Sequence, residues 1–142
     1  MYLLDTNIIS EIRRLKQGKC DPNVARWVMK ISNQLMYTSP IVMMELERGI
    51  LAKEQKDPAQ GVILRRWFNE VVQPAFTNKI LPIDQVTAQI CARLHFPDHA
   101  PENDAWIAAT ALQHNLILVT RNIADFQRTS VKLLNPFMPI DE

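Results

Sequence analysis

Four acidic side chains, Asp5, Glu45, Asp104 and Asp125, each stand at the end of an apolar run or in the opening turns of a helical one. Asp5 closes the run Tyr2-Leu3-Leu4, and Glu45 follows a helix start at Ser39-Pro40. Asp104 opens the alanine-rich helical stretch 105–112, and Asp125 lies just after the apolar run 116–119. Carboxylates held close together repel one another, and burial penalises their charged form, so such a group is costly without a cation. Oxygen donors suit magnesium, which keeps several waters and needs only one or two direct carboxylates. A divalent ion there binds a phosphate oxygen, offsets charge in the transition state and lowers the pKa of an attacking water. Taken singly, each acid reads equally well as a helix cap or a surface residue. Only their joint placement points to a site.

That placement depends on the elements. Residues 1–4 read as a short buried strand, and 35–38, 79–82, 116–120 and 131–134 read as four more. Between them lie helical stretches: from Thr6 with Ile8, Ile9, Ile12 and Leu15 on one face, from Asp21-Pro22, from Ser39-Pro40 past Leu51, and from Asp57-Pro58 through Trp67 and Val71. Residues 83–94 and 102–114 are helical too. Residues 95–101 form a loop and 122–126 a single helical turn. Strands alternating with helices predict an α/β fold with a parallel sheet flanked by helices. In such sheets ligands bind at the carboxyl ends of the strands. Asp5 falls at that end of the first strand, and the Glu45 helix leaves that end of the second. The Asp104 helix runs down into the fourth strand, so it starts at the same edge, and Asn122 and Asp125 follow that strand. Thr6, Asn7 and Thr120 are placed to orient the acids by hydrogen bonding, and the helix N-terminus beside Asp104 predicts a bias toward its ionised form.

The bulk properties agree. The chain has 142 residues, 47% hydrophobic and 22% charged, which suits one globular domain over 1–142 without a linker. A net charge of +1 gives no global basic field. The local run Arg13, Arg14, Lys16 and Lys19 is either a solvated helix face or a phosphate-binding patch. Cys20 and Cys91 do not have metal-type spacing, and the sequence starts directly on a strand without a targeting segment, so the cytoplasm is the expected compartment. No apolar run approaches the ~18 residues that span a membrane. His95 and His99 have a zinc-like spacing, but Pro97 between them forbids a common helix. Trp27, Trp67 and Trp106 fall at helical core positions. With only three glycines there is no phosphate-binding glycine loop.

Several short motifs, in order, resemble the PIN-domain family: Leu4-Asp5-Thr6-Asn7, Met44-Glu45-Leu46-Glu47-Arg48-Gly49, Asp104-Ala105-Trp106-Ile107-Ala108-Ala109-Thr110-Ala111 and Val119-Thr120-Arg121-Asn122. Within it they are most similar to VapC-type toxins of bacterial toxin–antitoxin pairs, and the closing Asn135-Pro136-Phe137 resembles the FitB-like branch. The resemblance implies a Rossmann-like α/β/α sandwich and a magnesium- or manganese-dependent ribonuclease acting on RNA, tRNA or other structured RNA above all. It implies Asp5, Asp104 and Glu45 as metal ligands, with Thr6, Asn7 and Thr120 beside them. It also implies a homodimer and a VapB-like antitoxin whose C-terminal segment blocks the site. One departure stands out: many members carry aspartate where this chain has Asn122. Asp125, one helical turn on, then supplies the fourth acid, and Asn122 assists. Arg13, Arg14, Lys16 and Arg121 are the expected RNA phosphate contacts. The apolar Ile8, Ile9 and Ile12 are candidates for a dimer face, while Glu47 and Glu102 are expected to be peripheral.

The weakened fourth position raises an alternative, a PIN fold that binds RNA or a partner without cutting. A phosphotransfer domain of the haloacid-dehalogenase or receiver type fits less well. The first type needs an aspartate where Asn7 stands, and Arg121 is a poor substitute for the lysine of the second.

Overall fold

A computed structural model describes residues 1–140; the last two positions of the expected 1–142 domain, Asp141 and Glu142, lie outside the described residues. Four short strands, β1 (Tyr2–Leu4), β2 (Met36–Tyr37), β3 (Ile117–Val119) and β4 (Leu133–Leu134), form one parallel sheet in the order β2-β1-β3-β4. The register sets Tyr2 opposite both Met36 and Ile117, and Leu118 opposite Leu133. Helices α1 (Thr6–Ile12) and α2 (Pro22–Lys30) connect β1 to β2. Five more lie between β2 and β3: α3 (Pro40–Lys56), α4 (Pro58–Trp67), α5 (Gln73–Ala75), α6 (Gln85–Leu94) and α7 (Glu102–Gln113). The short α8 (Ile123–Phe126) joins β3 to β4. The expected α/β architecture of a parallel sheet flanked by helices is therefore present.

Its strands are continuous apolar runs because helices cover both faces of the sheet. Leu3, Leu4, Leu118 and Val119 are fully buried with Ile8, Val42, Ile107 and Phe126. Each such side chain contributes about 1.5–3 kcal/mol through removal from water. Ala105, Ala108, Ala109 and Ala111 let α7 lie close against its neighbours. Ile8 and Ile9 belong to this core, so the suggestion that they form a dimer face is corrected: the faces they would use are already packed.

The strand expected at 79–82 is reduced to one parallel bridge, Thr38 with Ile80, made by Thr38 N–H to Lys79 C=O at 3.0 Å and Leu81 N–H to Thr38 C=O at 2.9 Å. Pro82 has no N–H to extend the ladder, and the β2 edge beside it is only two residues long. The helix starting at Pro58 also differs from expectation. It widens into a π-helical turn at Phe68–Val72 just before Pro74, whose ring and missing N–H disrupt a regular α-turn.

Capping residues set the helix starts that the site depends on. Ser39 Oγ accepts the Val42 N–H at 3.2 Å, with Pro40 in the first turn, which starts α3 at the carboxyl end of β2. The α3–α4 hairpin is close-packed at Gly61, where a Cβ would stand 2.5 Å from Glu54 Cα. Arg65 bridges Glu47 at 2.5 Å and Glu54 at 3.0 Å, binding α4 to α3.

Candidate active site

Asp5 is the residue around which the site is built. It follows β1, caps α1 by accepting the Thr6 N–H at 2.8 Å, and is 4% exposed. Its second oxygen accepts the Thr120 hydroxyl at 2.8 Å and the Asn7 amide at 3.4 Å. Thr120, fully buried after β3, uses its whole hydrogen-bonding capacity: it donates to Asp5 and accepts from Asn122 N–H at 3.1 Å and Asn7 Nδ2 at 3.3 Å. Asn7 Oδ1 in turn accepts the Arg121 N–H at 3.0 Å. These bonds join the carboxyl ends of β1 and β3 into one rigid corner. Burial raises the Asp5 pKa, and the Glu45 charge adds to this, against the lowering effect of its hydrogen bonds to Thr120, Thr6 and Asn7.

Glu45 reaches this corner from the second turn of α3. Its carboxylate accepts the Thr6 hydroxyl at 2.6 Å and the Asn103 amide at 3.3 Å, so α1 and α7 hold it from two sides. Asn103 was not anticipated; its place beside Asp104 on the same helix turn was the one available signal. Asp104 completes the group. Burial first, then the charges of Asp5, Asp125 and Glu45, push its pKa up to about 6. The expected helix-dipole bias toward the ionised form is thus corrected, because desolvation and three neighbouring carboxylates outweigh a partial charge of about half a unit.

Asp5, Glu45 and Asp104 line a cleft of about 260 Å³ together with Thr6, Asn7 and Asn122. Asp125 is exposed on α8, near enough to Asp104 to act on its charge but not on the cleft wall, where Asn122 stands instead. Among the described residues, no ion pair to lysine or arginine reaches any of these four acids. The donors are all oxygen and, among the described residues, their mutual repulsion is not relieved by an ion pair, which is the chemistry a hard divalent cation satisfies.

Of the expected phosphate contacts, Arg13, Arg14 and Arg121 line a second cleft of about 530 Å³ that shares Thr6, Asn7 and Glu45 with the first. Lys16 is exposed and is not on its wall. Trp67, expected in the core, borders this cleft while packing on the core edge. Glu47 is engaged by Arg65, away from the acids.

The two histidines do come together, with ring centroids 4.5 Å apart, and Glu102 lies 3.6 Å from His95 Nε2. His95 Nδ1, however, accepts the Ala100 N–H at 3.1 Å. A neutral ring so held carries its proton on Nε2, directed toward Glu102, and has no lone pair left for a metal. His95 serves to close the loop before α7.

A parallel sheet with one buried and two half-buried acids gathered at the carboxyl edge of its strands defines an α/β domain with an acidic, oxygen-lined pocket. The sequence pattern of the PIN domain matches residues 2–132, and the chain belongs to the PIN-domain family. It is 32% identical over 145 residues to Toxin FitB of Neisseria gonorrhoeae, covering 96% of this chain and 99% of that one. It is 30% identical to VapC ribonuclease Y4jK of Sinorhizobium fredii, over 98% and 99% of the two chains. Among solved structures, FitAcB from Neisseria gonorrhoeae superposes with a TM-score of 0.85 at 30% identity over 96% of this chain and 99% of that one. A toxin–antitoxin complex from Klebsiella pneumoniae gives 0.66 at 25% identity over 99% and 100%. No helix among the described residues is long and apolar enough to cross a membrane.

Proposed function

We propose that residues 1–142 act as one PIN domain, a divalent-metal-dependent endoribonuclease and the toxin of a toxin–antitoxin pair, working on cytoplasmic RNA. The observation that carries this reading is the convergence of Asp5, Glu45 and Asp104 from three distant segments on one cleft, where among the described residues no lysine or arginine is ion-paired to them. Relatives named toxin and ribonuclease support the activity, and a related toxin–antitoxin complex supports an antitoxin partner; that a small antitoxin covers the cleft with its C-terminal segment rests on the family resemblance.

Asp5, Asp104 and Glu45 would hold magnesium or manganese, with Asp125 close by and Asn122 contributing a neutral oxygen. When bound, the ion supplies charge neutralisation at the phosphate and lowers the pKa of a water for attack. The chain's own residues do the positioning. Thr120 and the Thr6 N–H hold both oxygens of Asp5, so that carboxylate cannot rotate away. Thr6 and Asn103 fix Glu45 across from it. In the metal-free site burial and the neighbouring carboxylates push the Asp104 pKa up to about 6, so this side chain gives up its proton when it takes a cation. Arg121, whose backbone is bound to Asn7, stands beside the acids to meet the RNA phosphates.

Asn122 gives the non-catalytic alternative its footing, since an amide brings no charge to the cleft. Expression in bacteria separates the two. The nuclease reading expects growth arrest by the wild-type chain, relief by Asp104→Asn at equal protein level, and magnesium or manganese binding by calorimetry that the variant loses. Folded wild-type protein that neither binds these ions at millimolar concentration nor arrests growth would establish the binding-module reading. A homodimer is proposed on the family resemblance alone, and light scattering tests it.

A further inference from the structure

Two glycines of the α3–α4 hairpin stand in opposite circumstances. Gly61 is packed against the Glu54 backbone, where a Cβ has no room. Gly49 lies in a regular turn of α3, is exposed, and a Cβ built on it meets nothing within 4 Å. A glycine inside a helix costs backbone entropy and is less stable there than alanine. Folding of the free chain therefore gains nothing from glycine at position 49. Its location is specific, however. Gly49 follows Glu45 by four residues, one turn on and about 6 Å along the same face of the helix. It lines the cleft of about 530 Å³ that shares Thr6, Asn7 and Glu45 with the acidic cleft. Arg13 and Arg121 line it too, and among the described residues neither has a carboxylate partner, whereas Arg14 is paired with Glu11. What glycine provides here is a stretch of groove wall, next to Glu45, with no side chain on it.

We infer that Gly49 is a substrate-contact residue: its bare backbone lets the sugar–phosphate of the nucleotide next to the cut one lie directly against α3. The inference rests on the ribonuclease reading and names the position on α3 that sets how closely the RNA backbone approaches. One chain can touch the backbone of a helix only where no side chain stands between them, and glycine is the residue that allows this. Charge selects the occupant. The guanidinium groups of Arg13 and Arg121 on the same groove have no acidic partner within the described chain, and a phosphate backbone supplies one. A side chain added at position 49 fills the groove beside Glu45 without changing any carboxylate. It therefore acts on RNA binding and leaves cation binding as it was.

The test uses the full chain, free of antitoxin. Gly49→Ala and Gly49→Gln both introduce better helix formers, so each should melt at or above the wild-type temperature. Fluorescence anisotropy with a labelled mixed-sequence RNA is read in chelator, so that cutting cannot confuse binding. Affinity should fall about threefold for Gly49→Ala and about tenfold or more for Gly49→Gln. In magnesium, KM for the RNA should rise in step while kcat stays within about twofold, and calorimetric magnesium affinity should not change. Leu51→Gln, on the same helix but exposed and off the cleft wall, should bind RNA as wild type. A raised melting temperature joined to weaker RNA binding is a combination that a purely structural glycine does not give. Wild-type RNA affinity in Gly49→Gln, the result expected if a protein segment occupies the gap instead, overturns the inference, as does an equal loss in Leu51→Gln. If Gly49→Gln binds as wild type and RNA is still cut in magnesium, the contact fails and the ribonuclease reading stands. If binding falls as expected but wild type cuts RNA in neither magnesium nor manganese, the ribonuclease reading fails and the RNA contact stands.

Discussion

At the scale of single residues, the site is a set of acids held against their own repulsion. Asp104 carries the clearest consequence. Its folded pKa is raised from 3.8 to about 6, so the folded state holds this proton more tightly than the unfolded chain does. The resulting stabilisation is complete below pH 3.8 and is lost as pH rises through about 6. Metal-free wild type should therefore melt lower than Asp104→Asn at about pH 7, and the gap should close by about pH 4. Differential scanning fluorimetry in chelator across that range checks it; a gap independent of pH contradicts the assigned burden. Thr120→Val tests the opposite contribution. It removes the hydroxyl that Asp5 accepts while keeping the shape, and leaves a buried carboxylate short of a donor. The expected loss is about 1.5–3 kcal/mol in urea unfolding at about pH 7.

At the scale of elements, helix caps and glycine packing decide where the acids arrive. Gly61 and Gly49 give a paired prediction. A Cβ at Gly61 meets the Glu54 backbone, whereas one at Gly49 meets nothing within 4 Å. Gly61→Ala should cost about 1–3 kcal/mol by forcing α3 and α4 apart. Gly49→Ala, inside a helix and exposed, should stabilise by about 0.5–1 kcal/mol. Equal effects in a denaturant series would contradict the hairpin geometry. These elements also show what could be read from sequence. Asp21-Pro22, Ser39-Pro40 and Asp57-Pro58 marked true helix starts because cap chemistry is local. The segment 79–82 was misread as a strand, since pairing depends on the length of the neighbouring edge, which no local pattern records. The role of Arg65 has no local signal for the same reason: its partners on α3 are brought near only by the hairpin. The acids of the cleft were legible as neighbours because strand ends in a parallel sheet share an edge. The raised proton affinity of Asp104, the support from Asn103 and the placement of Arg13 and Arg121 over aromatic rings depend on side-chain distances that only the folded chain defines.

At the scale of the whole molecule, two clefts share Thr6, Asn7 and Glu45: one is lined by carboxylates, which the proposed function assigns to a cation, and the other by Arg13, Arg14 and Arg121, which it assigns to a phosphate chain. Cation binding must displace the proton that Asp104 retains, so calorimetric magnesium affinity should fall as pH drops from about 7 to about 5. Both assignments meet in one experiment, cleavage of total bacterial RNA by antitoxin-free protein, with Asp5→Asn of verified fold beside wild type, in magnesium, manganese and chelator. The account predicts discrete fragments from wild type in either metal, and none in chelator or from the variant. Fragments that persist in chelator, or that Asp5→Asn releases at the wild-type rate, would contradict it.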